Sequence, residues 1–361
     1  MNAKDYLFQY KNDFDPYLKE YFQEKKIAFR KVDPLAEEAV KILEKFIISG
    51  GKRIRPAMVY YGFLLGGGRV NSKNRADIIK ASMSIELTHS FLLIHDDIID
   101  RDEKRHGVDT VHEHYKKIAQ KHFPKTDPEH FGKSMAIIAG DLAASMANEI
   151  LFESNFSAKT IVNALRQLQK VVYTTIPGEM LDVVMEAKGE STEGEILKMH
   201  EGKTAFYTFE GPLHLGIILA GNKNKKLLED ISDYSMAVGK AFQVRDDILG
   251  VFGEAEKLGK PIGSDIIENK QTLLVLKALE KSDAKQRKII KKTLGRNDLN
   301  LAKLEKFRKV IVETNSLKYS ENLAEKFSKQ AIKIVGEIKT KNNLPEDFLL
   351  KIAEYISIRN R

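Results

Sequence analysis

Two short runs of aspartate, each at the end of an apolar stretch, carry the clearest chemical signal in the 361-residue sequence. The first, residues 89–100, reads HSFLLIHDDIID, and the second, residues 242–250, reads FQVRDDILG. Asp96 and Asp100 are four residues apart, so a helix places them about 40° apart on one face, with Asp97 beside them. On a solvated helix end such acids repel only weakly. When they are partly buried, two carboxylates 4 Å apart repel by about 4 kcal/mol at an effective dielectric constant of about 20, and the cluster needs a cation.

The second run favours the cation-binding interpretation, because Asp246 and Asp247 again follow an apolar helical stretch. If the two helices face each other, five carboxylates line one cavity. Such oxygen ligands suit Mg²⁺, which binds few protein carboxylates and completes its coordination with water and phosphate oxygens. The spacing does not match an EF-hand loop, which needs acids at alternate positions.

Basic residues accompany the acids. Residues 50–56 read GGKRIRP, and residues 104–107 read KRHG. The first is not a P-loop, because no serine or threonine follows the lysine. Taken singly, each cation is typical of a solvated surface; taken together with the acids, they predict a metal-bound diphosphate and a second diphosphate held by cations. His89 lies two helical turns before Asp96, where it is either a diphosphate donor or a satisfied core histidine.

The elements that must position these residues are helices, since apolar residues recur mainly at helical spacing. Helices are predicted at 35–48, 76–100, 132–152, 158–176, 195–219, 227–250, 271–280 and 323–338. Glycine and proline fall between them, including Pro177-Gly178. We therefore predict one all-α domain over residues 1–361, a single large helical bundle, with a surface insertion at Tyr115 to Lys133. Helices that are apolar nearly all round indicate a bundle centre or a subunit interface.

Composition excludes several classes. The 59 lysine and arginine residues exceed the 51 acids by eight, and 45 are lysines spread along the whole chain. A nucleic-acid binder would concentrate arginine and aromatic residues, so no nucleic-acid partner is predicted. The absence of cysteine excludes disulfides, thiolate nucleophiles and sulfur-ligated zinc. No apolar run reaches the length of a membrane span and the N-terminus is not a signal peptide, so a cytoplasmic protein is predicted.

At the quoted residues the sequence resembles the trans-isoprenyl diphosphate (polyprenyl) synthase family. The similarity runs from about Leu35 to Ala278, and is weaker beyond. Its motifs are GGKRIRP (50–56), ELTHSFLLIHDDIIDRDEKRHG (86–107), AGD (139–141), GEMLD (178–182), KTAF (203–206), FQVRDDILG (242–250) and GKPIGSDIIENKQT (259–272). The resemblance implies an all-α fold around a deep central cavity, usually in a homodimer.

The resemblance also implies roles for individual residues. Asp96 and Asp100 bind Mg²⁺ with Asp97 assisting, and Asp246 holds a third ion with Asp247 and Asp265 nearby. The allylic diphosphate is bound by Arg105, Lys203, Thr204, Gln243, Lys260 and Lys270. Isopentenyl diphosphate is bound by Lys52, Arg55, His89 and His106. Catalysis is assigned to Asp96, Asp100, Lys203, Thr204, Gln243 and Asp246.

Three positions depart from the family pattern. His106 stands where a second arginine is common, and a histidine is only partly charged near neutral pH. Gly250 stands where the second acidic motif often ends in aspartate. Glu179 replaces the usual glutamine, and the sequence leaves its role open.

The implied reaction is ionisation of an allylic diphosphate, attack by isopentenyl diphosphate and release of pyrophosphate. Residues just before the first acidic motif, namely Thr88, Phe91 and Leu92, are expected to limit the depth of the cavity. An aromatic residue at position 91, five before the motif, resembles the pattern of enzymes that make C20 chains, of the geranylgeranyl diphosphate synthase kind. The alternative product is the C15 compound farnesyl diphosphate. Plain core packing of Phe91 is an equally weighted interpretation.

Three other functions remain open at the level of sequence. A class I terpene cyclase also uses such acids but needs no second diphosphate site. A His-Asp phosphohydrolase would be built on His95 and Asp96, although further spaced histidines are lacking. A non-catalytic regulatory subunit would be expected to lose the acids that this chain keeps.

Overall fold

The computed structural model describes residues 1–72, 74–253, 263–296, 298–340 and 343–358. Its helices are α1 (Ala3–Arg30), α2 (Pro34–Ile48), α3 (Ile54–Leu65), α4 (Arg75–Asp100), α5 (Val111–His122), α6 (Pro128–Phe152), α7 (Ala158–Lys188), α8 (Glu193–His200), α9 (Gly211–Leu219), α10 (Lys225–Phe252), α11 (Ser264–Ile267), α12 (Leu273–Lys281), α13 (Ala284–Thr293), α14 (Leu301–Glu313), α15 (Ser316–Glu337) and α16 (Asn343–Ile358). A π-helical segment, Glu201–Glu210, joins α8 to α9. Strands β1 (Lys104–Arg105) and β2 (Val108–Asp109) form a short antiparallel hairpin. The all-α prediction is confirmed.

The chain divides into two compact units. The first comprises Met1–Leu168 and Pro212–Lys223, and the second comprises Gln169–Gly211 and Asn224–Arg361. The single domain expected from sequence remains a prediction.

In the first unit, α4 packs between α3 and α6, and α1 lies against α2 and α4. Helix α1 begins with a capping box between Asn2 and Asp5. Every fourth residue from Tyr6 to Phe22 is then buried, which gives α1 one continuous apolar face. The Tyr10 hydroxyl lies 2.6 Å from the Ser82 hydroxyl on α4 and ties the two helices together. This packing fixes α4, which carries the first acidic motif.

In the second unit, α10 packs against α15, α16 and the π-helical segment. Tyr234 on α10 is fully buried and donates its hydroxyl to the carbonyl of Leu349 on α16, 2.9 Å away. Gly239 on α10 lets the π-helical segment approach closely, because a Cβ there would stand 2.4 Å from Cα of Ala205. The second acidic motif therefore sits on a helix that is buried along most of its length.

Helix α7 corrects one prediction. Pro177 and Gly178 were expected to break the helix, yet both lie inside α7. A Cβ on Gly178 would come within 2.5 Å of the backbone nitrogen of Lys203 and within 3.0 Å of Cα of Gly202. The glycine therefore serves backbone-to-backbone packing of α7 on the π-helical segment rather than a turn.

Helix α6 is long and apolar enough to cross a membrane, with a mean hydropathy of 1.4 over 18 residues, but 44% of that window is buried inside the protein. Core helices pass the same test, so this is weak evidence for a membrane span.

The segment predicted as a surface insertion, Tyr115 to Lys133, contains the second half of α5, an exposed connection and the start of α6. Tyr115 within it is buried.

Candidate active site

The last turn of α4 presents the first acidic motif. Asp96 and Asp100 are partly exposed there, whereas Asp97 is fully buried. The helix ends at Arg101, whose left-handed backbone (φ 59°) lets its N–H donate to the carbonyl of Asp97. The chain then turns back into the β1–β2 hairpin, which brings Arg105 next to Asp96 and Asp97.

Arg105 is held by carboxylates on more than one side. Its Nε donates to Oδ1 of Asp97 over 2.6 Å and its Nη2 donates to Oδ2 of Asp102 over 3.0 Å. Nη2 also lies 3.8 Å from Oδ2 of Asp96. Asp102 is buried and was missed from sequence, although it stands three residues before an arginine that the motifs had singled out. This arrangement fixes one guanidinium directly beside a partly exposed aspartate.

The electrostatics of Asp97 fit a nearby divalent cation. Burial raises the pKa of Asp97 to about 7, although Arg105 opposes the shift. Oδ2 of Asp97 is buried and has no hydrogen-bond partner among the described residues. In the described part of the chain, no three His, Asp or Glu side chains form a metal cage by themselves. Partly exposed carboxylates with one orphaned buried oxygen suit Mg²⁺, which keeps water and phosphate oxygens in its shell.

The GGKRIRP loop is anchored by Arg53. Its Nε donates to Asp15 over 2.9 Å and its Nη1 to Glu86 over 2.5 Å. The side chain is 3% exposed, so it serves the loop rather than a ligand. Lys52 beside it is exposed. The buried ion pairs therefore give Arg53 a structural role that sets it apart from Lys52 and Arg55.

His89 and Arg55 are in contact, with Nη1 of Arg55 3.1 Å from Nε2 of His89. Since a guanidinium can only donate, Nε2 accepts and the ring proton is on Nδ1. Burial lowers the pKa of His89, and Arg55 and Arg105 lower it further, so the imidazole is neutral near pH 7. His89 therefore orients Arg55 through one nitrogen and keeps Nδ1–H as a donor.

His106 occupies the tip of the hairpin, where it and Gly107 both have positive φ, 50° and 80°. Its ring lies against Gly50, where a Cβ would come within 2.4 Å of the imidazole. Burial and Arg105 lower the pKa of His106, so it too is neutral near pH 7. The hairpin tip therefore adjoins the GGKRIRP loop. This loop carries Lys52 and Arg55, which the resemblance assigns, with His106, to isopentenyl diphosphate.

In the second unit, two lysines share one buried carboxylate. Lys203 lies 2.7 Å and Lys270 lies 3.3 Å from Oδ2 of Asp182. Burial would raise the pKa of Asp182, but the two ammonium groups lower it overall. Glu179 lies 2.9 Å from Lys203, which gives this unusual residue the role of a second partner to that lysine. Asp182 was not assigned from sequence, although it ends the GEMLD motif.

A second polar chain joins the π-helical segment to α10. The Thr204 hydroxyl donates to Oε1 of Gln243 over 2.5 Å, and Nε2 of Gln243 donates to Oδ1 of Asp247 over 2.9 Å. Nε2 of the buried His200 lies 3.3 Å from the other oxygen of Asp247. Gln243 and Thr204 are thus fixed relative to Asp247, and His200 is a further contact that sequence reasoning missed.

Asp246 is partly exposed on α10, and Asp265 at the start of α11 approaches the same helix. A Cβ on Gly250 would come within 2.1 Å of Oδ2 of Asp265. The Asp265 carboxylate therefore occupies the space that a side chain at position 250 would need. Lys260, also assigned from the resemblance, lies outside the described residues.

The residues expected to set chain length lie on α4. Phe91 packs edge-on against His95 with the ring centroids 4.9 Å apart, Leu92 is partly buried and Thr88 donates its hydroxyl to the carbonyl of Ser84. Nε2 of His95 lies 3.3 Å from the carbonyl of Ile137 on α6. His95 therefore contacts α6, which disfavours a His-Asp metal pair with Asp96.

Comparison with known proteins supports the resemblance. A sequence model of the polyprenyl synthetase family matches residues 36–311. The chain is 34% identical to a geranylgeranyl diphosphate synthase of Saccharolobus solfataricus over 316 residues, covering 87% of this chain and 88% of the relative. It is 32% identical to one from Methanosarcina mazei, covering 90% of each. A crystal structure of geranylgeranyl pyrophosphate synthase from Corynebacterium glutamicum, complexed with isoprenyl diphosphate and magnesium, superposes over 100% of both chains with a TM-score of 0.91 and 28% identity. The chain belongs to the polyprenyl synthetase family.

Proposed function

We propose that this prenyltransferase condenses isopentenyl diphosphate with an allylic diphosphate in a Mg²⁺-dependent reaction that releases pyrophosphate. The product is a C20 prenyl diphosphate, with C15 as the alternative. The two relatives named above are geranylgeranyl diphosphate synthases, and their similarity covers most of the chain. Mg²⁺ accompanies the isoprenyl diphosphate complex of the Corynebacterium structure, which supports the choice of metal.

The observation that carries the proposal is the joint placement of acid and base at the end of α4. Asp96 and Asp100 remain partly exposed, while Arg105 is held beside them by Asp97 and Asp102. Exposed carboxylates hold a metal, and a fixed guanidinium binds a diphosphate oxygen directly. Surface acids without function have no need of an arginine fixed by buried carboxylates.

The metal is assigned to Asp96 and Asp100 in the first unit and to Asp246, assisted by Asp265, in the second. Asp97 acts by holding Arg105 as well as through its buried free oxygen, and Asp247 acts by holding Gln243. About three Mg²⁺ ions are expected from the family. When bound, Mg²⁺ neutralises the charge that develops on the departing diphosphate.

The chain's own residues then have distinct tasks. Arg105, Lys203 and Lys270 bind the allylic diphosphate, and Lys260 belongs to the same set. Asp182 fixes the ammonium groups of Lys203 and Lys270, so less side-chain freedom is lost on binding. Lys52, Arg55, His89 and His106 bind isopentenyl diphosphate, with Nδ1–H of His89 as a neutral donor.

The proposed reaction breaks one bond and makes another. The allylic C–O bond breaks, the electron pair leaves with the diphosphate, and the double bond of isopentenyl diphosphate forms the new C–C bond. The Thr204 hydroxyl donates a hydrogen bond to Oε1 of Gln243. The lone pairs of its oxygen can therefore face the allylic cation. The proton lost from the new chain goes to the released pyrophosphate. Water must be excluded, because it would capture the cation.

A homodimer is part of the proposal. In the first unit, α6 exposes Ile137 and Ile138; in the second, α7 exposes Tyr173, Ile176 and Met180. Large apolar side chains on one helix face are typical of subunit interfaces. Light scattering of the purified chain is expected to give twice the monomer mass, and Ile138→Lys is expected to lower it; a monomeric wild type would contradict the assignment.

The reaction is tested by incubating the purified chain with isopentenyl diphosphate and each allylic primer from C5 to C15, with Mg²⁺ or with EDTA, and separating the products by chromatography. Product is expected only with both substrates and Mg²⁺. Asp96→Ala is expected to abolish turnover, whereas Asp233→Ala, which removes an exposed aspartate on α10, is expected to leave it unchanged.

The same assay separates the alternatives. Conversion of geranyl diphosphate alone to a hydrocarbon would indicate a terpene cyclase. No turnover by the homomer under any condition would indicate a regulatory subunit. Activity that survives Asp96→Ala would refute the role given to the first acidic motif.

A further inference from the structure

The net positive charge of the chain is concentrated in one short stretch. Residues 284–309, from α13 into α14, hold ten lysine and arginine side chains against two carboxylates, a net charge of +8. The whole chain also has a net charge of +8, so the remaining residues are neutral in sum. The lysines are spread along the whole chain, but the excess of basic over acidic residues falls within this one stretch. We call residues 284–309 the basic segment.

Most cations of the basic segment are exposed and unmatched. Lys303 pairs with Asp298 at 2.5 Å and Arg308 with Glu305 at 2.7 Å. Six others form no ion pair with any residue that the structure describes: Lys285, Lys288, Lys291, Lys292, Arg296 and Lys306. Elsewhere in the chain most lysines on exposed faces are interleaved with glutamate. The basic segment therefore has a positive surface without internal compensation.

Helix α13 places three of these charges on one side. Lys285, Lys288 and Lys292 fall within about 60° on the helical wheel. Ile290 and Thr293 lie on the opposite side and are buried. A surface depression of about 530 Å³ continues the basic face and is lined by Lys292, Arg296, Asp298 and Lys303. Leu301, at the start of α14, is 72% exposed close to it in sequence.

We propose that the basic segment adsorbs the enzyme to an anionic lipid bilayer. Clusters of four to eight lysine or arginine residues on one helix face suit anionic headgroups. Single-stranded nucleic acid is a poorer match, because its recognition needs exposed aromatic side chains, and the only aromatic residue of the segment, Phe307, is fully buried. The apolar side of α13 is occupied by the protein core, so adsorption is electrostatic and does not insert the helix.

Adsorption goes beyond the reaction and does not depend on it. Its functional consequence is that an amphiphilic prenyl diphosphate would be released next to the phase in which its chain dissolves. The segment contains none of the residues assigned to substrate or metal, so charge changes there leave the turnover of soluble substrates unaltered.

The test is co-sedimentation of the full chain with phosphatidylcholine vesicles, with and without phosphatidylglycerol. Binding is expected only to the anionic vesicles. It should be lost when salt rises from about 0.1 M to about 1 M, because the Debye length falls from about 10 Å to about 3 Å. Each cation near an anionic membrane strengthens binding about fivefold, so the triple variant Lys288→Gln, Lys292→Gln, Arg296→Gln should bind about a hundredfold more weakly.

A matched triple variant controls for net charge. Lys121→Gln, Lys125→Gln and Lys159→Gln remove the same number of exposed cations from the first unit, and this variant should bind as the wild type does. Both triple variants should keep the wild-type melting temperature and turnover. The proposal is overturned if wild type ignores anionic vesicles, if both variants weaken binding equally, if binding resists salt, or if DNA binds through these residues while vesicles do not.

Discussion

Replacing Gly250 by alanine tests whether the Asp265 carboxylate belongs to the metal site. Gly250 lies in the last turn of α10, where alanine is still the better helix former, so helix propensity alone favours the variant. The new Cβ would however stand 2.1 Å from Oδ2 of Asp265. Since an ordinary contact is about 3.5 Å, the carboxylate must withdraw by more than about 1 Å.

The magnitude follows from that displacement. A shift of about 1 Å in a positioned group can lower turnover by about a hundredfold. Because Asp265 is a flexible side chain, it yields at little cost to folding. Gly250→Ala is therefore expected to keep or raise the melting temperature, while kcat/KM falls by about a hundredfold and the Mg²⁺ concentration for half-maximal rate rises.

The assay is a Mg²⁺ titration of initial rates beside a thermal melt. Gly336→Ala on α15 is the matched control, because a Cβ there meets no atom within 4 Å and should change only stability. Wild-type activity and Mg²⁺ dependence in Gly250→Ala would refute the role of Asp265. A lower melting temperature would show instead that the carboxylate is rigidly held.

Three further predictions concern other parts of the site. Phe91→Ala should lengthen the product in chromatography, and an unchanged length would assign Phe91 to core packing alone. Thr204→Val removes the hydroxyl that holds the partly buried Gln243 and that is proposed to face the allylic cation, so kcat should fall by about tenfold, which corresponds to about 1.4 kcal/mol in the barrier; an unchanged kcat would contradict this. Asp182→Asn removes the buried carboxylate that Lys203 and Lys270 share, while Glu179 still pairs with Lys203, so the free energy of unfolding at pH 7 should fall by about 1.5–3 kcal/mol. Because the pKa of Asp182 is lowered in the folded state, the carboxylate stabilises the fold above about pH 4, and this stabilisation is lost as pH falls through the lowered pKa. The free energies of unfolding of wild type and variant should therefore converge in acid. A difference that stays constant with pH would contradict the assignment.

The sequence predicted the helical class better than it predicted helix ends. Helices α2, α4 and α10 lie close to their expected bounds, because each combines an apolar periodicity with polar ends. Helix α1 was not proposed, although its buried residues recur at every fourth position, a signal that was present but diluted by charged residues between them. Pro177-Gly178 misled, because the local meaning of proline and glycine was overridden by packing against Gly202.

Partners of the site residues were beyond reach of motif reasoning. Which carboxylate holds Arg105 or Lys203 depends on how a hairpin and two helices meet, and no spacing in the sequence encodes it. Arg53 shows the same limit: three cations follow the glycine pair, but only the structure separates the buried anchor from Lys52 and Arg55. The close approach of the Asp265 carboxylate to Gly250 is likewise visible only in the structure, since the two residues are 15 positions apart in the chain.

The π-helical segment has a consequence for how this part of the chain tolerates changes in length. The N–H of Gly211 bonds to the carbonyl of Phe206, five residues earlier, so the coil holds one more residue per hydrogen-bonded turn than its neighbours. Deleting one residue between 205 and 210 would remove one position from this segment. It would also rotate the residues before the deletion by about 100° relative to α9, turning Lys203 and Thr204 away from their partners. Natural variants of this segment should therefore keep its residue count.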